Sequence, residues 1–242
     1  ADSKGRLRQL QTDVLTELVR CKLNVDKLLL RQKQGFFCVS PVGYNVLGRE
    51  FERVLPAGSV ANLGVGIPAD VALVVAEEGY TNQIALTAET GAVGGVPAAL
   101  PNFGSAYNPE CTMLHNDMFD MIDGGGLDIT VLGLAQADEA GNLNVSKFGA
   151  RLTGPGGFIN ITQSAKKVVF CGSFMAKSKV LVQDGKLVIA EEGKAKKFIR
   201  QVEQIPFSGP YARPDQTILY VTERCVFQLI GGKMTLIEIA PG

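Results

Sequence analysis

LDITVLGLAQ, residues 127–136, is apolar at nearly every position, with one charge, Asp128. A strand with one wet face alternates apolar and polar residues. One that is apolar throughout is covered on both sides, as in a parallel sheet sandwiched between helices. The neighbouring sequence repeats that grammar. SVANLGV (59–65) reads as a strand, GIP (66–68) as a glycine turn and ADVALVVAEEG (69–79) as a helix. Pro68 suits a first helical turn and Gly79 a C-terminal cap. QIALTAE (83–89) supplies a second strand and KKVVFCG (166–172) another.

The last third changes character. KVLVQDGKLVIA (179–190) predicts a hairpin turning at Asp184-Gly185, and TILYVTERCVFQLIGGKMTLIEIA (217–240) predicts strands joined through Gly231-Gly232. At the other end, RLRQLQTDVLTELVRCKLNVDKLLLRQKQ (6–34) spaces leucines at helical intervals among Lys and Arg. GFFCVSPVGYN (35–45) reads as a connector and VLGREFERVL (46–55) as a short helix. The expected fold is therefore α/β. It has three layers, α/β/α, around a mainly parallel sheet, with antiparallel strands toward the C-terminus and a helical N-terminal extension. Residues 1–40 form that extension or a linker, and 41–242 the main domain.

Composition narrows the function. The 242 residues are 46% hydrophobic, enough for a sizeable core, and 24 Lys and Arg balance 24 Asp and Glu. Balanced charge gives no footprint for nucleic acid, and no apolar run reaches the roughly 20 residues that span a bilayer. Five scattered cysteines without a CxxC pair argue against a disulfide framework or a zinc knuckle and for a reducing compartment. A first residue of Ala suggests a processed or partial product.

Chemistry-bearing residues are few. The single histidine, His115, lies in a polar stretch, so neither a histidine triad nor a two-histidine metal site can be assembled. Cys171 and Cys225 lie in apolar strands and read as core. That leaves a carboxylate as the best nucleophile. Glu89 stands where a buried strand ends, the edge at which open α/β sheets bind ligands. LTAETGAVGGVPAAL (86–100) then bares its backbone at Gly91, Gly94 and Gly95. Either those glycines let amides approach a ligand, or they serve tight packing beside a merely solvated acid. NLGVGIP (62–68), DGGGLD (123–128) and LTGPGGFINIT (152–162) pose the same choice. As a set they favour a large, flat or phosphorylated ligand.

These segments resemble a known family. AETGAVGGVPA, DMIDGGGLDITVLGLAQADEAGNLNVSKFG, GPGGFINITQSAKKVVFCGSF, GKAKKFIRQVEQIPFSG and LYVTERCVFQLI with LIEIAPG are similar to the carboxyl-terminal (β) half of family I coenzyme A transferases. The nearest subgroup is the propionate, acetate and short-chain acyl-CoA transferases. The likeness runs from about Leu55 to Gly242; nothing carries over to residues 1–40.

The resemblance implies that Glu89 is the covalent nucleophile of a ping-pong transfer of CoA from an acyl-CoA to a free carboxylic acid, through a glutamyl-CoA thioester. It implies no metal and no redox cofactor, with coenzyme A as substrate. A carboxylate needs no base to activate it near neutral pH, which suits a chain with one histidine. By the same likeness the Val65 N–H and the Gly156-Gly157 pair supply oxyanion donors, and Gly94 and Gly95 line the acyl or thioester pocket. The family pairs this half with an α half, as a fused domain or separate subunit, which implies an oligomer in the cytoplasm or mitochondrial matrix. Two alternatives stand beside transfer. One is a non-catalytic subunit on the same fold; the other is a hydrolase that admits water to the thioester.

Overall fold

The computed structural model describes residues 58–77, 82–98, 101–183 and 186–240. The expected 1–40 extension, the 35–45 connector, the 46–55 helix, the Gly79 cap and the Asp184-Gly185 turn lie outside them. Nine strands form the main sheet: β1 Val60–Leu63, β2 Ala85–Thr87, β3 Ala92–Val93, β4 Cys111–Thr112, β5 Ile129–Gly133, β6 Lys167–Cys171, β7 Thr217–Val221, β8 Cys225–Ile230 and β9 Lys233–Ile239. Their spatial order is β9-β8-β7-β6-β5-β1-β2-β3-β4.

The middle five, β2-β1-β5-β6-β7, are parallel. The flanking pairs are antiparallel on both sides, β7-β8-β9 at one edge and β2-β3-β4 at the other. The antiparallel additions expected near the C-terminus are thus joined by a second set immediately after Glu89. The 179–190 hairpin forms as a separate ribbon, Lys179–Gln183 against Lys186–Glu191.

Alternation within the parallel strands builds two cores. Val169, Cys171, Leu219 and Val221 join Ala61, Leu63 and Ile129 on one face. Their neighbours Val168, Phe170, Ile218 and Tyr220 face the other way. Such period-two partition is what an all-apolar strand needs when both sides are covered. Helix α1, Ile67–Glu77, closes the first face through Ala72 and Val75. Helices α2, His115–Asp123, and α3, Phe158–Ser164, close the second through Met118, Ile122, Phe158 and Ile161. The helix layers are sparse, yet the three-layer arrangement holds. No described helix is long and apolar enough to cross a membrane.

The chain leaves β1 in one direction, through α1 to β2, and later returns to β5 on the other side of β1. Between β1 and β5 the strand order reverses. A crevice opens at the carboxyl ends of strands at such a switch point, because the two flanking connections diverge.

Candidate active site

A cleft of about 600 Å³ lies at that switch point. Its floor comes from the ends of β1 and β5, namely Asn62 to Val65 and Leu132, Gly133 and Ala135. One wall is the Thr153–Phe158 segment leading into α3. Val145, Phe148 and Arg151 form another, and Phe103 and Glu89 complete the lining.

Glu89 follows β2 by two residues, in a turn where the Gly91 N–H donates to the Ala88 carbonyl at 2.9 Å. The side chain is half-buried. Among the described residues it has no hydrogen bond or ion pair. It rests against backbone instead: a Cβ added to Gly157 would stand 2.3 Å from Glu89 Oε2 and 2.7 Å from Phe119 Cζ. Only a residue with no side chain lets the carboxylate lie there. Thr90 fixes the turn from the next position, its hydroxyl donating to the Gly104 carbonyl. The turn carrying Glu89 and the Phe103 wall are thereby linked.

The amide donors expected from the sequence meet at this cleft. Gly157 is the N-cap of α3, and Gly156 before it has φ +56°, a left-handed value that glycine adopts without strain. Val65 sits between the end of β1 and the start of α1. The N–H groups of Val65, Gly156 and Gly157 have no protein acceptor among the described residues. Glu89, Val65, Gly156 and Gly157 therefore share one cleft.

Gly94 and Gly95 do not join them. They form a left-handed turn after β3, at φ +75° and +67°, in which the Gly94 N–H donates to the Leu86 carbonyl. A Cβ on Gly95 would meet the Tyr107 carbonyl oxygen at 2.2 Å. Gly95 is bare because backbone packs against it, whereas a Cβ on Gly94 would meet the Glu110 side chain at 2.7 Å; neither glycine lines the cleft. His115 begins α2, exposed, with its ring edge-on to Phe119 at 4.9 Å.

Sequence reasoning missed Asn62, Phe103, Phe148 and Arg151. Asn62 is buried in mid-sheet, its amide donating to the Thr87 carbonyl and accepting from the Thr130 hydroxyl. A polar residue within the apolar run SVANLGV was its one signal. Farther along the same sheet edge, Lys197 Nζ donates to the Leu134 carbonyl at 3.0 Å and secures the segment carrying Ala135. Burial pulls this ammonium below its ordinary pKa, against the opposing pull of Glu223 and Cys171.

An acid at a switch-point cleft, over glycine backbone and sharing that cleft with amides that have no protein acceptor among the described residues, is an arrangement that can support covalent acyl chemistry. The chain is 62% identical over 203 residues to the caffeate CoA-transferase of Acetobacterium woodii, covering 81% of this chain and 39% of that protein. It is 32% identical over 206 residues to the acetate CoA-transferase subunit beta of Escherichia coli (strain K12), covering 81% of this chain and 85% of that one. Among solved structures, an acyl-CoA transferase (YdiF) of E. coli O157:H7 in a thioester complex with CoA superposes with TM-score 0.70 at 42% identity, over 79% of this chain and 37% of that one. No protein-family model matches the chain. The chain belongs to the family I coenzyme A transferases and corresponds to their β half. It spans a little over a third of the caffeate relative's length.

Proposed function

We propose that this chain is the nucleophile-bearing half of an acyl-CoA:carboxylate CoA-transferase, with Glu89 as the residue that carries CoA. The observation that carries the reading is the Glu89 carboxylate lying on the Gly157 backbone, in a cleft that also presents the Val65, Gly156 and Gly157 amides, which have no protein acceptor among the described residues.

The cycle needs no net proton and no electrons. A Glu89 carboxylate oxygen attacks the thioester carbonyl carbon, and the C–S bond breaks to release CoA thiolate and leave an acyl-glutamyl anhydride. The thiolate then attacks the glutamyl carbonyl; the first acid departs as carboxylate, leaving Glu89 as its CoA thioester. The second acid reverses these steps and leaves as acyl-CoA. Each addition creates a tetrahedral oxyanion. Each amide waiting for that charge is worth about 3–4 kcal/mol of barrier. A carboxylate is a weak nucleophile, so fixed placement supplies much of the remainder, with effective molarities of roughly 10⁵–10⁸ M in well-oriented cases.

Acetate and caffeate name the acids of the similar enzymes, and they differ greatly in bulk. That difference supports a conserved handling of carboxylate and CoA here, with the acid's tail accommodated partly by an α-type half. The partner is inferred from length: the chain matches 85% of a separate β subunit but 39% of a longer single chain. The main domain is taken as 41–242 with residues 1–40 ahead of it. The bacterial relatives favour a cytoplasmic setting.

The test is chemical trapping. The chain, with any subunit that purifies with it, is incubated with acyl-CoA, then with borohydride or hydroxylamine, and digested. Modification at Glu89, absent from Glu89→Gln, is expected. An unmodified Glu89 in the assembled protein would leave the non-catalytic reading standing, and CoA release without an acceptor acid would identify a hydrolase.

A further inference from the structure

Two charged side chains line the cleft, Glu89 and Arg151, and the cycle above uses only the first. Arg151 belongs to a short hairpin, Lys147–Phe148 paired with Arg151–Leu152, in which Phe148 and Arg151 are register partners. Directly paired residues share a face of a two-stranded ribbon. Phe148 and Arg151 accordingly face the cleft together, while Lys147 and Leu152 turn to the other side.

The guanidinium is exposed and has no hydrogen bond or ion pair among the described residues. Glu203 contacts the hairpin, but its carboxylate accepts the Gly149 N–H at the turn. The arm itself is braced. Thr153 and Gly154 N–H groups donate to the Ser146 carbonyl, and Asn144, fully buried, accepts from the Ser146 and Lys147 N–H groups. Ser146 Oγ lies 2.8 Å from Gln204 Oε1. A free guanidinium on a fixed arm at the mouth of a cleft matches an oxyanion, which it grips through two parallel donors.

The substrates offer two kinds of anion, carboxylate and phosphate. The carboxylate of a simple acid reacts at Glu89 and is consumed there. The phosphates of CoA stay remote from the reacting sulfur. We propose that Arg151, with Phe148 beside it, forms a phosphate subsite for the CoA thioester on this half of the enzyme. The proposal rests on the CoA-transfer reading.

The test compares acyl-CoA with the matching acyl-pantetheine, which lacks phosphates, as donors to the assembled protein. In Arg151→Gln the ratio of kcat/KM for acyl-CoA to that for acyl-pantetheine is expected to fall about tenfold, through KM, and the rate's salt dependence to weaken. Arg151→Lys should recover part of the loss. An unchanged ratio, including an equal loss on both donors, overturns the subsite. Failure of the parent reading shows differently, as no trapped adduct at Glu89 from either donor. Calorimetric titration with CoA needs no chemistry and still reads the subsite: a Kd raised about tenfold in Arg151→Gln supports it, and an unchanged Kd overturns it.

Discussion

Gly157 is where the site is most sensitive to a single methyl group. The two atoms that an alanine Cβ would strike, Glu89 Oε2 and Phe119 Cζ, are ends of flexible side chains rather than backbone. Gly157 itself has φ −73°, which alanine adopts freely. Gly157→Ala is therefore expected to fold with little change in Tm while pushing the carboxylate off its seat. A displacement of about 1 Å costs on the order of 10²-fold in rate. Measurement of kcat beside a thermal melt checks both halves; a large loss of Tm would mean that the backbone, not the carboxylate, gave way. The glycines also mark how far sequence alone reached. Gly156 and Gly157 were legible because a bare run precedes a helix start. Gly94 and Gly95 look the same in sequence, yet their left-handed turn answers to the Glu110 side chain at the first and the Tyr107 and Asn108 carbonyls at the second, which only the folded chain brings near.

Among the elements, the Lys179–Gln183/Lys186–Glu191 ribbon depends on a tie to the sheet. Arg224, just past β7, makes paired hydrogen bonds of 2.8 and 2.6 Å to the Glu192 carboxylate and one of 3.1 Å to Glu223. Glu223 in turn accepts the Phe174 N–H at 2.7 Å, and the guanidinium lies over the Phe174 ring at 5.1 Å. The Arg224 hydrogen bonds, helped by the Gly193 N–H, hold Glu192 at about 2, below its ordinary 4.5. A depressed carboxylate pKa contributes stability that is complete above the unfolded value and is lost as pH falls through the folded one. The ribbon is thus expected to loosen between pH 4.5 and 2. Amide exchange of residues 179–191 checks this: wild type should lose protection across that window, whereas Glu192→Gln should be loosened already at neutral pH. The ribbon was legible from KVLVQDGKLVIA, but its anchor was not, because Glu192 and Arg224 are 32 residues apart.

For the whole molecule, cohesion comes from the two cores, and Phe170 sits at the centre of the one beneath α2 and α3. Its ring contacts Phe158, Phe207 and Tyr220 at centroid distances of 5.6, 5.1 and 5.3 Å, and it is fully buried. Phe170→Ala is expected to cost about 3–5 kcal/mol, read as a lower denaturant midpoint. The layered architecture was legible because period-two partition leaves apolar runs such as LDITVLGLAQ. The cleft walls were less so, since Phe103 comes from a loop and Phe148 and Arg151 from a short hairpin, and their approach to the sheet is set by contacts distant in sequence. Thr90 adds a last consequence. Because one hydroxyl ties the turn carrying Glu89 to the loop bearing Phe103, a shift of either segment is expected to reach the other, and an environment-sensitive dye beside that ring would report occupancy of the cleft from outside it.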